Sequence, residues 1–87
     1  MTREEIAEYN PDAIIWDYPG YDEAIIGMAE NCGFGPVVAY DTNKIIEILM
    51  ERDGMTDEEA WEYFDYNING AHVGKNTPIH IFNYKDI

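Results

Sequence analysis

Apolar residues recur at helical spacing over one long part of the chain, Tyr40 to Gly70, and elsewhere only in short runs. Ile45, Ile48 and Leu49 stand at i, i+3 and i+4, with Ile46 and Met50 widening the stripe, while Lys44, Glu47 and Glu51 fall on the other side. Asp41 or Thr42 can accept the first free N–H groups of this helix. Gly54, which readily takes left-handed backbone, ends it near Asp53. A second helix starts at once, because Thr56-Asp57-Glu58-Glu59 is a capping box whose acidic residues suit the positive end of the helix dipole. Along it Ala60, Trp61, Phe64 and Ile68 share a face, and Glu58, Glu62 and Asp65 form an acidic stripe. Two oily faces need cover, and the remaining residues must supply it.

The other elements are shorter. Thr2-Arg3-Glu4-Glu5 repeats the capping box and predicts a helix from Arg3 to Tyr9, ended by Asn10-Pro11. Ala13 to Trp16 reads as a strand or a buried extension before the Asp17-Tyr18-Pro19-Gly20 turn. Residues 23–30 fit either period. The glycine-rich loop after them and the β-branched run Val37-Val38-Ala39-Tyr40 favour an antiparallel hairpin over about 24–30 and 36–40, with a helix over 21–31 as the alternative. Residues 67–74 read as irregular, Lys75 to Pro78 as a turn, and Ile79-His80-Ile81-Phe82 as a last strand added to the same sheet. The expected fold is α+β: a two-layer sandwich in which a small antiparallel sheet of three to four strands is covered by a helical hairpin, with a short N-terminal helix.

At 87 residues the chain forms one domain, which buries about 60 to 65% of its unfolded surface, so a homodimer is a natural way to add stability. A hydrophobic content of 46% excludes a disordered acidic tail, although 18 acidic against 5 basic side chains leave a formal charge of −13. Such a coat repels nucleic-acid phosphates and anionic membranes and attracts basic surfaces. Direct nucleic-acid binding is therefore not expected. A single cysteine, Cys32, no signal-like start and no apolar run near the roughly 20 residues that span a bilayer point to the cytoplasm.

Residues 23–78 carry EAIIG, VVAYD, IEILMERDGM, EEAWEYFDYN and GAHVGKNTP in that order. This run resembles a widespread set of small acidic proteins encoded by bacteriophages and prophages. The resemblance implies a host-cell cytoplasmic setting and supplies no activity. In that set an aromatic residue is common at the position of His72 and the tail after Pro78 varies, which argues against an essential role for His72 or His80.

The chemistry-bearing residues favour plain readings. Cys32, His72 and His80 are too few and too far apart for a zinc site, and no cofactor is expected. Gly33, Gly35, Gly70 and Gly74 lack the spacing of a phosphate cradle and read as turn glycines. Glu58, Glu62 and Asp65 lie on one helix face, which cannot wrap a cation. Two classes of function remain. One is a non-enzymatic interaction protein whose carboxylates, Glu47, Glu51, Glu58, Glu62 and Asp65, with Tyr63 at their edge, bind a basic surface of a host protein. Mimicry of nucleic acid, inhibiting a host defence or regulatory factor, is one version of it; the plainer reading of the same charge is solubility. The other class is a small enzyme or ligand-binding module with Cys32, Tyr40, Asn69 and His72 gathered near the glycine-rich loops. A structural homodimer, formed through the uncovered sheet face or the Trp61/Tyr63 edge, is a third reading.

Overall fold

A computed structural model of the protein describes residues 1–31, 34–71 and 73–83. In chain order they form α1 (Arg3–Tyr9), a 3-10 turn (Tyr21–Ala24), β1 (Ile25–Asn31), β2 (Phe34–Asp41), α2 (Thr42–Asp53), α3 (Asp57–Phe64), one π-helical turn (Asp65–Asn69) and β3 (Ile79–Ile81). The fold is α+β.

The helix ends follow from local chemistry. The Thr2 and Thr56 side chains accept from the N–H groups of Glu5 and Glu59, and each glutamate reaches back to the cap. Of the two candidate caps for α2, Asp41 takes the role, accepting from the Lys44 N–H at 3.3 Å, and Thr42 is the buried first helical residue. Gly54 ends α2 with φ 66°, a conformation costly for a side chain with a Cβ.

The sheet order is β1-β2-β3. β1 and β2 form the expected antiparallel hairpin, with Met28 opposite Val38 and irregular register near both ends. The helix alternative survives only as the single 3-10 turn before β1. β3 joins β2 in parallel, with Tyr40 opposite His80, so the sheet is mixed and not wholly antiparallel. The reason lies in the connection. Parallel neighbours need a crossover of a dozen or more residues, and the helical pair with its following loop provides one.

Ala13 to Trp16 is the half-buried extension, not a strand. Its backbone is satisfied elsewhere: the Ile14 N–H donates to the Asn76 carbonyl at 3.3 Å and the Trp16 N–H to the Tyr40 hydroxyl at 2.9 Å. The stretch expected to be irregular from Asn67 instead prolongs α3 by the π turn, where the Asn67 side chain donates to the Tyr63 carbonyl. Gly70 closes it, and a Cβ there would come within 3.1 Å of the Asp65 carbonyl oxygen.

Val38 and Tyr40 point from β2 into the core, against Ile45 and Leu49 of α2 and Phe64 of α3, and Ile6 of α1 closes one side. Each such side chain contributes about 1.5–3 kcal/mol by leaving water. On the surface, Ile26, Ile79 and Ile81 are exposed.

Candidate functional site

α2 and α3 pack side by side below their Gly54 turn, leaving a groove of about 280 Å³ lined by Asn43, Ile46, Glu47 and Met50 from one helix and Asp57 and Trp61 from the other. Helical geometry says what flanks it. At about 100° per residue, the surface of α2 passes from buried Ile45 and Leu49 through Ile46 and Met50 to Asn43, Glu47 and Glu51. On α3 it passes from buried Ala60 and Phe64 through Asp57 and Trp61 to Asp65, Glu58 and Glu62. Of the predicted carboxylates Glu47 lines the groove, and Glu51, Glu58, Glu62 and Asp65 fall by this geometry on the solvent side beyond its walls, all exposed.

Tyr63 does not join them. It lies on the opposite flank of α3, half-buried against the core and close enough to Tyr21 to affect its ionisation. The acidic edge instead carries Trp61, which meets Phe64 edge-on at 6.1 Å and Phe82 at 5.1 Å between ring centroids. Asn43, at the end of the groove, accepts from the Asn83 N–H at 3.0 Å. Sequence reasoning placed Ile46 and Met50 in the core stripe, Asp57 in the capping box and Trp61 in the core. The available signal was the pair of i, i+4 steps, 46 to 50 and 57 to 61, on the facing flanks.

Of the described basic side chains, the two arginines are committed elsewhere. The Arg3 guanidinium grips the Asp22 carboxylate with two hydrogen bonds, at 2.9 and 3.1 Å, and that pairing pushes its pKa up. Arg52 donates to the Pro19 carbonyl. Lys44 approaches Glu47 only to 4.0 Å, with both side chains in solvent, an arrangement that neutralises little.

Of the residues proposed for a catalytic or ligand site, Tyr40 and Asn69 are described, one buried and the other exposed. Cys32, Gly33 and His72 lie outside the described residues. Tyr40 is fully buried, its hydroxyl occupied by the Trp16 N–H, and burial pushes its pKa up. Asn69 is exposed at the end of the π turn. His80 has a structural place: its Nε2 accepts from the Trp16 indole N–H at 2.9 Å, and Phe64 meets its ring edge-on at 5.1 Å. Accepting at Nε2 requires the neutral imidazole, the state that burial also favours by lowering the pKa.

A wider depression lined by Arg3, Asp17, Tyr18, Pro19, Gly20, Asp22 and Glu23 is open to solvent. Among the described residues no group of three or more histidine, cysteine or acidic side chains is placed to hold a metal ion, and no helix is long and apolar enough to cross a membrane. Comparison with protein-family models, curated proteins and solved structures finds nothing that matches the chain.

Proposed function

We propose that the chain is a non-enzymatic, phage-associated interaction protein whose acidic helical face binds a basic surface of a host protein, occupying it as a nucleic-acid backbone would. One observation carries this reading: Glu47 and Asp57 line one groove from its two helices, helical spacing puts Glu51, Glu58, Glu62 and Asp65 on the solvent side of the same pair, and among the described residues the lining holds no basic residue. Solubility alone asks only for scattered charge. An i, i+4 step along a helix advances about 6 Å, so each row spaces its carboxylates by about 6 Å. One strand of B-DNA presents a phosphate about every 3.4 Å. Each carboxylate row thus carries about one charge for every two phosphates of such a strand. The resemblance of residues 23–78 to small phage-encoded proteins gives the setting.

Affinity purification from host cells at two salt concentrations tests the reading. The partner is expected to be basic and to be released as salt approaches about 0.5 M, where screening acts over less than about 8 Å. Capture that persists there counts against an electrostatic partner. A second reading, a homodimer, is favoured by exposed Ile26, Ile79 and Ile81 on strand positions. Sedimentation over a concentration series decides it, since a monomer at every concentration removes that reading.

A further inference from the structure

We propose that the groove between α2 and α3 is a receptor for an arginine side chain of the partner, with the guanidinium held against the Trp61 indole between the carboxylates of Asp57 and Glu47. This rests on the acidic face being the partner-binding surface and identifies the part of it that selects. A volume of about 280 Å³ lies just below the usual range of ligand sites and is enough for one long side chain. Exposed Met50, over the buried Ile46, gives the lining apolar surface against which a methylene stem can lie.

Trp61 offers the aromatic ring that attracts cations most strongly. Its half-buried position and its edge contacts with Phe64 and Phe82 fix the ring before binding, so little ordering is needed. Asp57 and Glu47 come from different helices and bring negative charge to both walls. Each carboxylate alone is worth little in water. Selectivity comes from using ring and carboxylates together: a planar guanidinium stacks and donates in a fork at the same time, which a lysine ammonium cannot do. Lys44, 4.0 Å from Glu47, is the protein's own cation beside the site and is weakly held enough to give way.

The test is an NMR titration of isotope-labelled protein at low salt with the blocked tripeptides Gly-Arg-Gly and Gly-Lys-Gly. The Trp61 indole N–H and the amides of Glu47 and Asp57 are expected to shift saturably with the arginine peptide, and the lysine peptide to bind at least about threefold more weakly. The Trp16 indole N–H, already bonded to His80, serves as the unmoving reference. Asp57→Asn and Glu47→Gln each weaken the arginine peptide about two- to fivefold and, at exposed positions, keep the fold. Trp61→Leu removes the preference for arginine.

Equal shifts with both peptides, spread to the acidic residues of α1, overturn the receptor. So do a folded Trp61→Leu variant that still prefers arginine, and groove signals that move with protein concentration alone, which mark a second copy as the occupant. Salt-labile capture of a basic protein that is unaffected by Asp57→Asn and Trp61→Leu overturns the arginine receptor and leaves the acidic-face reading. Capture indifferent to salt overturns the latter, whatever the peptides do.

Discussion

Phe64 lies between two regions built on opposite terms. On its sheet side, His80 receives the Trp16 indole N–H, Trp16 donates its backbone N–H to Tyr40, and the groups involved are neutral. Beyond α3, the outer flanks of the helical pair carry five exposed carboxylates, and among the described residues the cation paired with them is Lys44, 4.0 Å from Glu47. The first arrangement uses both Trp16 N–H groups internally. The second has little internal use for its charge. On the proposed reading the difference separates folding from binding: substitutions in the aromatic cluster should act on stability, and substitutions on the acidic flanks should act on association.

The largest effect belongs to Phe64→Ala. Removing a buried ring that meets both His80 and Trp61 costs about 3–5 kcal/mol, a large share of the roughly 5–15 kcal/mol that holds a domain together. A urea melt should show the midpoint collapse, with partner capture lost only because the protein unfolds. A loss below about 1 kcal/mol would mean the cluster is not the stabilising region.

His80→Leu comes next, leaving the Trp16 indole N–H without its acceptor at a cost of about 1–3 kcal/mol. It also has a pH signature. Burial lowers the His80 pKa in the fold, so below about 6.5 the unfolded chain takes up the proton first and wild-type stability falls as pH drops from 7 toward 5. Relief of repulsion among carboxylates acts in the other direction. The measurement is therefore the difference between wild-type and His80→Leu stability over that range, which should shrink with acid.

Tyr21→Phe sharpens the same contrast at the alkaline end. Burial pushes the Tyr21 phenol up to about 12, so the fold loses stability as pH rises from about 10 to about 12, where the unfolded phenol ionises first. The variant should unfold less steeply there while differing little at pH 7. Chemical melts at pH 7 and at pH 11 check it, and an unchanged alkaline limb would show that Tyr21 ionisation does not couple to folding.

The acidic half of this contrast was legible in the sequence and the aromatic half was not. Helical stripes and capping boxes are local, so the Glu47/Glu51 and Glu58/Glu62 faces and the Thr56 cap follow from residues within a turn of one another. Trp16 and His80 are 64 positions apart, and nothing in either neighbourhood announces the other. The parallel placement of β3 is equally non-local. Asn10, readable only as a helix stop, donates to the Pro36 carbonyl and to the Asn76 side chain, tying the approach to β3 to the start of β2. The groove itself depends on how α2 sits against α3, which periodicity does not determine; the place of Tyr63 does follow from periodicity, about 100° round α3 from Glu62 and against the core.

The smallest expected change in stability is the one that bears most on function. Neutralising Glu47, Glu51, Glu58 and Glu62 together to glutamine removes no buried contact, and each change should stay within about 0.5 kcal/mol. At low salt the sum should be slightly stabilising, because a chain of formal charge −13 repels itself and loses four negative charges. Thermal melts at low and high salt measure this, and the gain should vanish as salt screens the repulsion. The same variant should release the basic partner at lower salt than wild type does. A folded variant that captures the partner undiminished places the interface elsewhere. A loss of more than about 2 kcal/mol breaks the division itself, since exposed carboxylates that support the fold are held by interactions the outer flanks do not supply.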